Sequence, residues 1–188
     1  MDYIGHASFI AADGTTRFDL ALADRIAEAG IYVDTVATPS YPAVDGETIA
    51  PRAFELYQHG VRVVTGHDIG AVIPPHAYLY GLEQLEAAGL PRSEVLVAAT
   101  SRAAAAIGLA GVAGVLDEGY SADLLVVDGN PMDDLGALAR KQRIVMRGVD
   151  FRPDPVPAYN GREEHPGGPG DVLARHQEIL RRRGLQDW

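Results

Sequence analysis

The stretch that decides the fold runs from Gly60 to Gly70 and reads GVRVVTGHDIG. Its first part, Val61–Thr65, is an almost continuous apolar run, which is typical of a strand buried on both faces of a parallel sheet. His67 and Asp68 follow where this strand ends, and glycines at both ends of the stretch favour turns. The stretch therefore predicts a buried parallel strand that ends in polar side chains.

Strands and helices alternate around this stretch. The patterns predict strands at Tyr3–Phe9, Ile31–Val36 and Val61–Thr65, and helices at Arg17–Ala29, Ile49–His59, Ala77–Ala88 and Ser93–Ile107. Alternation at this spacing indicates parallel strands joined by right-handed crossover connections. Three such units fit either part of a (β/α)8 barrel or part of a doubly wound sheet, so the class is α/β.

The pattern changes after Gly108. Short strands are predicted at Val112–Leu116, Asp123–Val127 and Arg143–Met146, and they suggest a small antiparallel sheet. Proline and glycine dominate residues 152–170, which we interpret as an extended arm, and an amphipathic helix is predicted at Asp171–Arg183.

Composition excludes several classes of protein. The net charge of −10 argues against nucleic-acid binding, which requires a basic surface. The chain has no cysteine, so disulfides, cysteine-bound zinc and thiol nucleophiles are excluded. The sequence shows no signal peptide and no apolar run long enough to span a membrane. We therefore expect a cytoplasmic protein that binds no nucleic acid and no membrane.

Candidate functional side chains lie where the predicted strands end. His6 lies near the end of the first strand, Thr38 follows the second, and His67 and Asp68 follow the third, with His76 later in the same loop. Ligands of parallel α/β folds bind at this edge, and imidazole and carboxylate groups are ligands of Zn2+. On spacing alone, a histidine such as His6 is more often a hydrogen-bonded core or loop residue, and an aspartate such as Asp68 is more often a turn residue that binds nearby backbone amides.

Several segments resemble amidohydrolases of the imidazolonepropionase and prolidase type. Tyr3–Phe9 is similar to the sixth barrel strand of that family, and residues 60–70 are similar to the eighth. The most specific similarity lies in Glu118–Leu124, which resembles the return of the chain to a small β-sandwich domain. The resemblance covers about residues 2–151. It implies barrel strands six to eight with their helices at 1–109, sandwich strands at 110–151, and an arm with a terminal helix at 152–188.

The resemblance also implies roles for individual residues. Asp68 would bind a divalent metal, expected to be Zn2+, and would accept the proton of the attacking water. His6 would bind a second metal, and His76 and His67 would contact a small-molecule substrate. His67 departs from the family pattern, in which this residue is usually small. The implied reaction is hydrolysis of a carbon–nitrogen bond in a non-peptide or cyclic amide.

Parts of the family's metal site have no counterpart here. The family's His-x-His pair on the first strand is missing, because no two histidines here are two residues apart. The lysine that often bridges two metals in the family is also missing, because the single lysine, Lys141, lies in the sandwich portion. His6 and Asp68 give two ligands, whereas catalytic zinc usually has three protein ligands. The chain could therefore be a non-catalytic remnant or an interaction module, and an unrelated doubly wound binding domain is a third alternative. Three parallel strands would expose an edge on each side, so we expect self-association or a partner chain.

Overall fold

The structure is a computed structural model that describes residues 2–7, 17–36, 49–67 and 78–152. These residues form an α/β fold with two small sheets. The strands are β1 Tyr3–Ile4, β2 Tyr32–Asp34, β3 Arg62–Val64, β4 Leu124–Val127, β5 Lys141–Met146 and β6 Val149–Phe151. The helices are α1 Leu20–Glu28, α2 Ile49–Gln58, α3 Tyr78–Ala87, α4 Arg92–Ala99 and α5 Ser101–Ala106, with a 3-10 helix at Leu135–Ala139.

The first sheet is parallel, as predicted. Its order is β1-β2-β3, with Tyr3 opposite Tyr32 and Val33 opposite Val63. Helix α1 connects β1 to β2 and helix α2 connects β2 to β3, so each described connection contains a helix. The carboxyl ends of the three strands therefore lie at one edge of this sheet.

One apolar cluster holds the first sheet against its helices. Val33 and Val63 of the sheet are completely buried, as are Ala23 of α1 and Leu56 of α2. Helix α1 begins where the Asp19 carboxylate accepts a hydrogen bond from the amide of Leu22 at 3.0 Å, and its buried side chains recur at helical spacing. Burying each valine or leucine contributes about 1.5–3 kcal/mol relative to exposure. The packed cluster thus fixes the sheet whose edge carries the predicted site.

The second sheet is antiparallel, with the order β4-β5-β6. Leu124 pairs with Val145, and Met146 pairs with Val149 across a two-residue turn. Both turn residues, Arg147 and Gly148, have positive φ angles of 51° and 78°. This is the conformation that matches the twist of a two-residue hairpin.

The predicted helix Ser93–Ile107 is wrong as a single element. The structure has two helices, α4 and α5, which separate at Thr100, where φ is −127° and ψ is −97°. The Thr100 hydroxyl donates to the carbonyl oxygen of Leu96 at 2.6 Å. A threonine that bonds back in this way competes with the regular helix pattern, a local effect that the alanine-rich composition conceals.

The predicted strand Val112–Leu116 is also wrong. The structure has turns there, because Gly111 and Gly114 adopt positive φ angles of 77° and 84°, which no strand allows. A β-carbon on Gly114 would lie 2.9 Å from the carbonyl oxygen of Thr100, so the glycine also permits close packing on the helix junction. Neither β6 nor the 3-10 helix was predicted, and Asp171–Arg183 lies outside the described residues.

Helices later in the chain form hydrogen bonds with the backbone of β3 and of the residue that follows it. The guanidinium of Arg102 donates to the carbonyl oxygen of Val63 at 3.1 Å, and the amide of Thr65 donates to the carbonyl oxygen of Ala98 at 3.3 Å. Among the described strands, β3 itself pairs only with β2. At the opposite side of the sheet, β1 pairs only with β2 among the described strands.

Candidate active site

The carboxyl ends of β1, β2 and β3 bring polar residues to one edge of the sheet. His6 follows β1 by two residues, Thr35 follows β2 directly, and the segment from Thr65 to His67 follows β3. The amide of Ala7 donates to the carbonyl oxygen of Asp34 at 3.3 Å, so the chain after β1 stays beside the end of β2. This is the edge where the sequence predicted ligands to bind.

Asp34, the last residue of β2, forms hydrogen bonds with a residue of β1 and with the segment that follows β3. Its carboxylate is 4% exposed and accepts hydrogen bonds from the Tyr3 hydroxyl at 3.1 Å and from the Val36 amide at 2.7 Å. The amide of Gly66 also donates to this carboxylate. Burial raises the pKa of Asp34, and the three hydrogen bonds and the nearby His6 oppose that rise. The sequence analysis missed this residue.

The signal that could have identified Asp34 is its place in the pattern. It is a charged residue at the end of an apolar strand, one residue before a threonine. A charged side chain is rarely buried unless it has partners, so an aspartate inside a predicted buried strand indicates a polar network. Hydrophobic periodicity alone does not indicate which hydrogen-bond donors surround the Asp34 carboxylate.

Gly66 lies against the Asp34 carboxylate with no space for a side chain. A β-carbon added to Gly66 would lie 1.6 Å from Oδ2 of Asp34, far inside any allowed contact. The glycine therefore lets the backbone after β3 approach the carboxylate closely enough for its amide to donate. Gly66 therefore has a packing role at the end of β3.

His67 is buried beside Tyr78 of helix α3. The imidazole is 6% exposed, and its ring centroid lies 5.8 Å from that of Tyr78 at an interplanar angle of 55°. The Tyr78 hydroxyl lies 2.5 Å from Oγ1 of Thr65, and burial raises the pKa of Tyr78. His67, predicted as a weak substrate contact, is thus largely buried next to the Tyr78 ring.

His6 is exposed and adopts a left-handed backbone conformation with a φ angle of 55°. Val36, at the end of β2, has a φ angle of 52°, which is a rare conformation for a β-branched residue. Strained residues of this kind concentrate at functional sites, where the surrounding structure holds them in place. The hydrogen bond from the Val36 amide to Asp34 is one such restraint.

Three of the predicted residues, Thr38, Asp68 and His76, lie outside the described residues. His59, the last residue of the predicted helix Ile49–His59, directly follows α2, and its Nδ1 lies 2.8 Å from Oδ1 of Asp24. Phe18 packs edge-on against its ring at 5.8 Å between centroids. His59 therefore joins α1 to the end of α2 and is not part of the strand-end site.

The strand-end residues fit one part of a metal site. His6 offers an exposed imidazole, and Asp68, the residue after His67 in the sequence, offers a carboxylate. Both are donor types that Zn2+ binds. Within the described ranges, no three His, Cys, Asp or Glu side chains lie close enough together to hold an ion. A complete site therefore needs ligands in addition to the described ones.

Comparison with known proteins identifies the family. The amidohydrolase family profile matches residues 3–143, and the chain belongs to that family. A solved structure classed as a prolidase, from Bifidobacterium longum, is 26% identical with a TM-score of 0.67, and the match covers 95% of this chain and 46% of that one. An Xaa-Pro dipeptidase with methionine bound in its active site is 22% identical with a TM-score of 0.69, covering 81% of this chain and 40% of that one.

A third structural neighbour is the ochratoxinase of A. niger, at 20% identity and a TM-score of 0.63, with coverage of 89% of this chain and 40% of the enzyme. The chain thus spans less than half the length of these solved structures. A comparison with curated proteins gave no match. In the part of the chain that the structure describes, no helix has both the length and the apolar character needed to cross a membrane.

Proposed function

We propose that this chain is the C-terminal part of a metal-dependent hydrolase that cleaves a carbon–nitrogen bond. In this proposal, β1 to β3 are strands six to eight of a (β/α)8 barrel, within residues 1–109. Strands β4 to β6 belong to a small β-sandwich domain at 110–151, and residues 152–188 form an arm with a terminal helix. Family membership and the parallel order β1-β2-β3 support this assignment.

The observation that carries the proposal is the convergence of His6, Asp34 and His67 at one edge of the parallel sheet. In barrels of this class, the catalytic groups lie at the carboxyl ends of the strands. Asp68, the proposed catalytic carboxylate, is the next residue in the sequence after His67. This adjacency in sequence supports Asp68 as the catalytic carboxylate of the proposed site.

Each residue has a proposed role. Asp68 binds the metal and accepts the proton of the attacking water, which it then delivers to the leaving nitrogen. His6 holds the metal from the end of β1, and His76 and His67 form the substrate side of the pocket. A bound divalent ion, for which Zn2+ is our proposal, lowers the pKa of water and polarises the carbonyl group that is attacked.

The remaining metal ligands come, in this proposal, from the polypeptide that completes the barrel. Three of eight strands are accounted for by β1 to β3, and a full barrel needs about 250 residues. Further strands would extend the sheet beyond β1, whose outer edge has no partner among the described strands.

The proposed substrate is a small molecule with an amide or cyclic amide bond. Two of the structural neighbours are named as dipeptidases or prolidases, and another as an ochratoxinase. Dipeptides of the Xaa-Pro type, which contain a tertiary amide, are therefore the first substrates to test, followed by N-acyl amino acids and cyclic amides.

The test is the variant Asp68→Asn in the protein as isolated from its source, together with any chain that completes the barrel. Turnover of the substrate should fall to background, because asparagine cannot accept the proton. Asp24→Asn, which changes an exposed carboxylate on α1, is the matched control and should retain activity. Undiminished turnover by Asp68→Asn would remove Asp68 from the mechanism. A preparation that binds no Zn2+ and hydrolyses none of these compounds would favour an interaction module.

A further inference from the structure

We propose that Asp34 is a positioning residue of this site, and that its carboxylate fixes the ends of β1 and β3 relative to each other. This inference rests on the proposed function, because it gives Asp34 the task of holding the backbone that carries Asp68. Nothing in the sequence pattern assigned a role to Asp34.

The first step of the argument is the position of the carboxylate between the outer strands. Asp34 belongs to the central strand, β2, and its Oδ2 accepts from the Tyr3 hydroxyl of β1 at 3.1 Å. On the other side, the carboxylate accepts from the amide of Gly66, which follows β3. One buried side chain therefore accepts hydrogen bonds from β1 and from the segment after β3, in addition to the backbone hydrogen bonds of the sheet.

The second step concerns the close contact between the Asp34 carboxylate and the backbone of Gly66. The close approach that places a hypothetical β-carbon 1.6 Å from Oδ2 leaves the carboxylate and the backbone in contact, with no space for water between them. The Val36 amide holds the other oxygen, Oδ1, at 2.7 Å. Both oxygens of Asp34 are thus committed, and the carboxylate cannot rotate away without losing hydrogen bonds in a buried place.

The third step is the short distance along the chain from this contact to the proposed catalytic residue. Asp68 follows Gly66 by two residues, a span of at most about 7 Å. On the β1 side, His6 follows Tyr3 by three residues, and the amide of Ala7 donates to the backbone of Asp34. Asp34 therefore restrains both segments that carry the proposed metal ligands, as residues behind a metal site commonly do.

The experiment compares the wild-type protein with Asp34→Asn, in the protein as isolated together with any chain that completes the barrel. Asparagine has nearly the same volume but only one acceptor oxygen, so its amide nitrogen must face either the Val36 amide or the donors of Tyr3 and Gly66, and at least one hydrogen bond of the Asp34 carboxylate is lost. We expect the amide proton signal of Gly66 to move and the amides of residues 67 and 68 to exchange faster. With an Xaa-Pro dipeptide as the probe, kcat should fall about 10–100-fold, and KM should change less than about twofold.

A control separates positioning from loss of stability. Val95→Ala opens a cavity in the core on helix α4, where Val95 is completely buried, and should lower the melting temperature without moving the Gly66 signal. Per folded molecule, its kcat should match the wild-type value. An Asp34→Asn protein that folds, loses the Gly66 hydrogen bond and keeps wild-type kcat would overturn the inference.

If Asp34→Asn does not fold, the variant Tyr3→Phe provides the test. Tyr3 is 43% exposed, so the protein should fold without its hydroxyl and the ring should stay in place. Loss of this single hydrogen bond should lower kcat by about two- to tenfold, and an unchanged kcat would overturn the inference. If the wild-type protein hydrolyses none of the compounds, the proposed function fails on its own. The exchange rates of residues 67 and 68 then test the restraint: faster exchange in the variant supports it, and equal exchange overturns it.

Discussion

The guanidinium of Arg102, on helix α5, reaches the outer edge of β3 and donates to the carbonyl oxygen of Val63 at 3.1 Å. Its second terminal nitrogen lies 2.6 Å from Oε2 of Glu94 on helix α4. One side chain therefore joins two helices to a strand edge. The sequence did not predict the break at Thr100 that separates α5 from α4. Because of this break, Arg102 and Glu94 lie on different helices.

Arg102→Met should destabilise the fold by about 1–3 kcal/mol, because a part-buried carbonyl loses its donor and Glu94 loses its partner. Urea denaturation measures this free energy of unfolding. Arg143→Met is the matched control, since Arg143 pairs with Asp150 on an exposed surface and should contribute little to stability. Equal losses in the two variants would show that the edge contact does not stabilise β3.

Gly66→Ala should be strongly destabilising, by about 1–3 kcal/mol or more, because its β-carbon would overlap the Asp34 carboxylate. Gly5→Ala is the control: its β-carbon would meet the Tyr3 ring at 3.5 Å, an ordinary contact. Thermal unfolding of both variants gives the comparison. In an Asp34→Ala background the overlap disappears, so Gly66→Ala should cost less there, and an equal cost in both backgrounds would contradict the assigned contact.

The phenol of Tyr3 should lose its proton at a higher pH than an ordinary tyrosine. Burial, then the charge of Asp34 and the hydrogen bond to it, raise the pKa of Tyr3 to about 12. The folded-state pKa thus lies above the unfolded value of about 10, so the stabilisation is fully present below pH 10 and is lost as the pH rises through the folded value. The difference in absorbance at 295 nm between wild type and Tyr3→Phe isolates this group.

Asp34→Asn should lower the midpoint of the Tyr3 titration, because two of its three causes involve the Asp34 carboxylate. The midpoint should remain above the ordinary tyrosine value, since burial, the largest cause, persists. A Tyr3 phenol that titrates near pH 10 in the wild-type protein would contradict its hydrogen bond to Asp34.

The alternation of apolar strands and helices was sufficient to predict the parallel sheet. Val61–Thr65 and Ile31–Val36 contain the observed strands β3 and β2, and the glycines that follow α1 and α2 end those helices as expected. These features depend on local periodicity and on glycine conformation, which the sequence carries directly.

The contacts at the strand ends could not be predicted in the same way. Asp34 meets Gly66 across 32 residues of sequence, and Arg102 meets Val63 across 39. Nothing in a local pattern specifies which buried carboxylate accepts from which distant amide, because that choice depends on strand register and helix packing. The candidate residues His6, Asp68 and His76 came from strand-end position and family resemblance, and the positioning carboxylate came only from the structure.

Leu135, in the 3-10 helix between β4 and β5, should couple the two sheets. It is 1% exposed and belongs to the same apolar cluster as Leu82 and Leu85 of helix α3. Nearby, Arg92 donates to the carbonyl oxygen of Met132 at 2.9 Å and lies 2.6 Å from Oε1 of Glu86, which adds polar contacts at the same junction.

Leu135→Ala should therefore cost about 2–5 kcal/mol, because it leaves a cavity between the antiparallel sheet and helix α3. Denaturation followed by both far-UV circular dichroism and the exchange of β5 amides measures the effect. Met132→Ala, in the adjacent turn with 51% exposure, is the control and should cost less than about 0.5 kcal/mol. If Leu135→Ala leaves the first sheet at wild-type stability and releases only β4 to β6, the two sheets fold independently and the junction does not couple them.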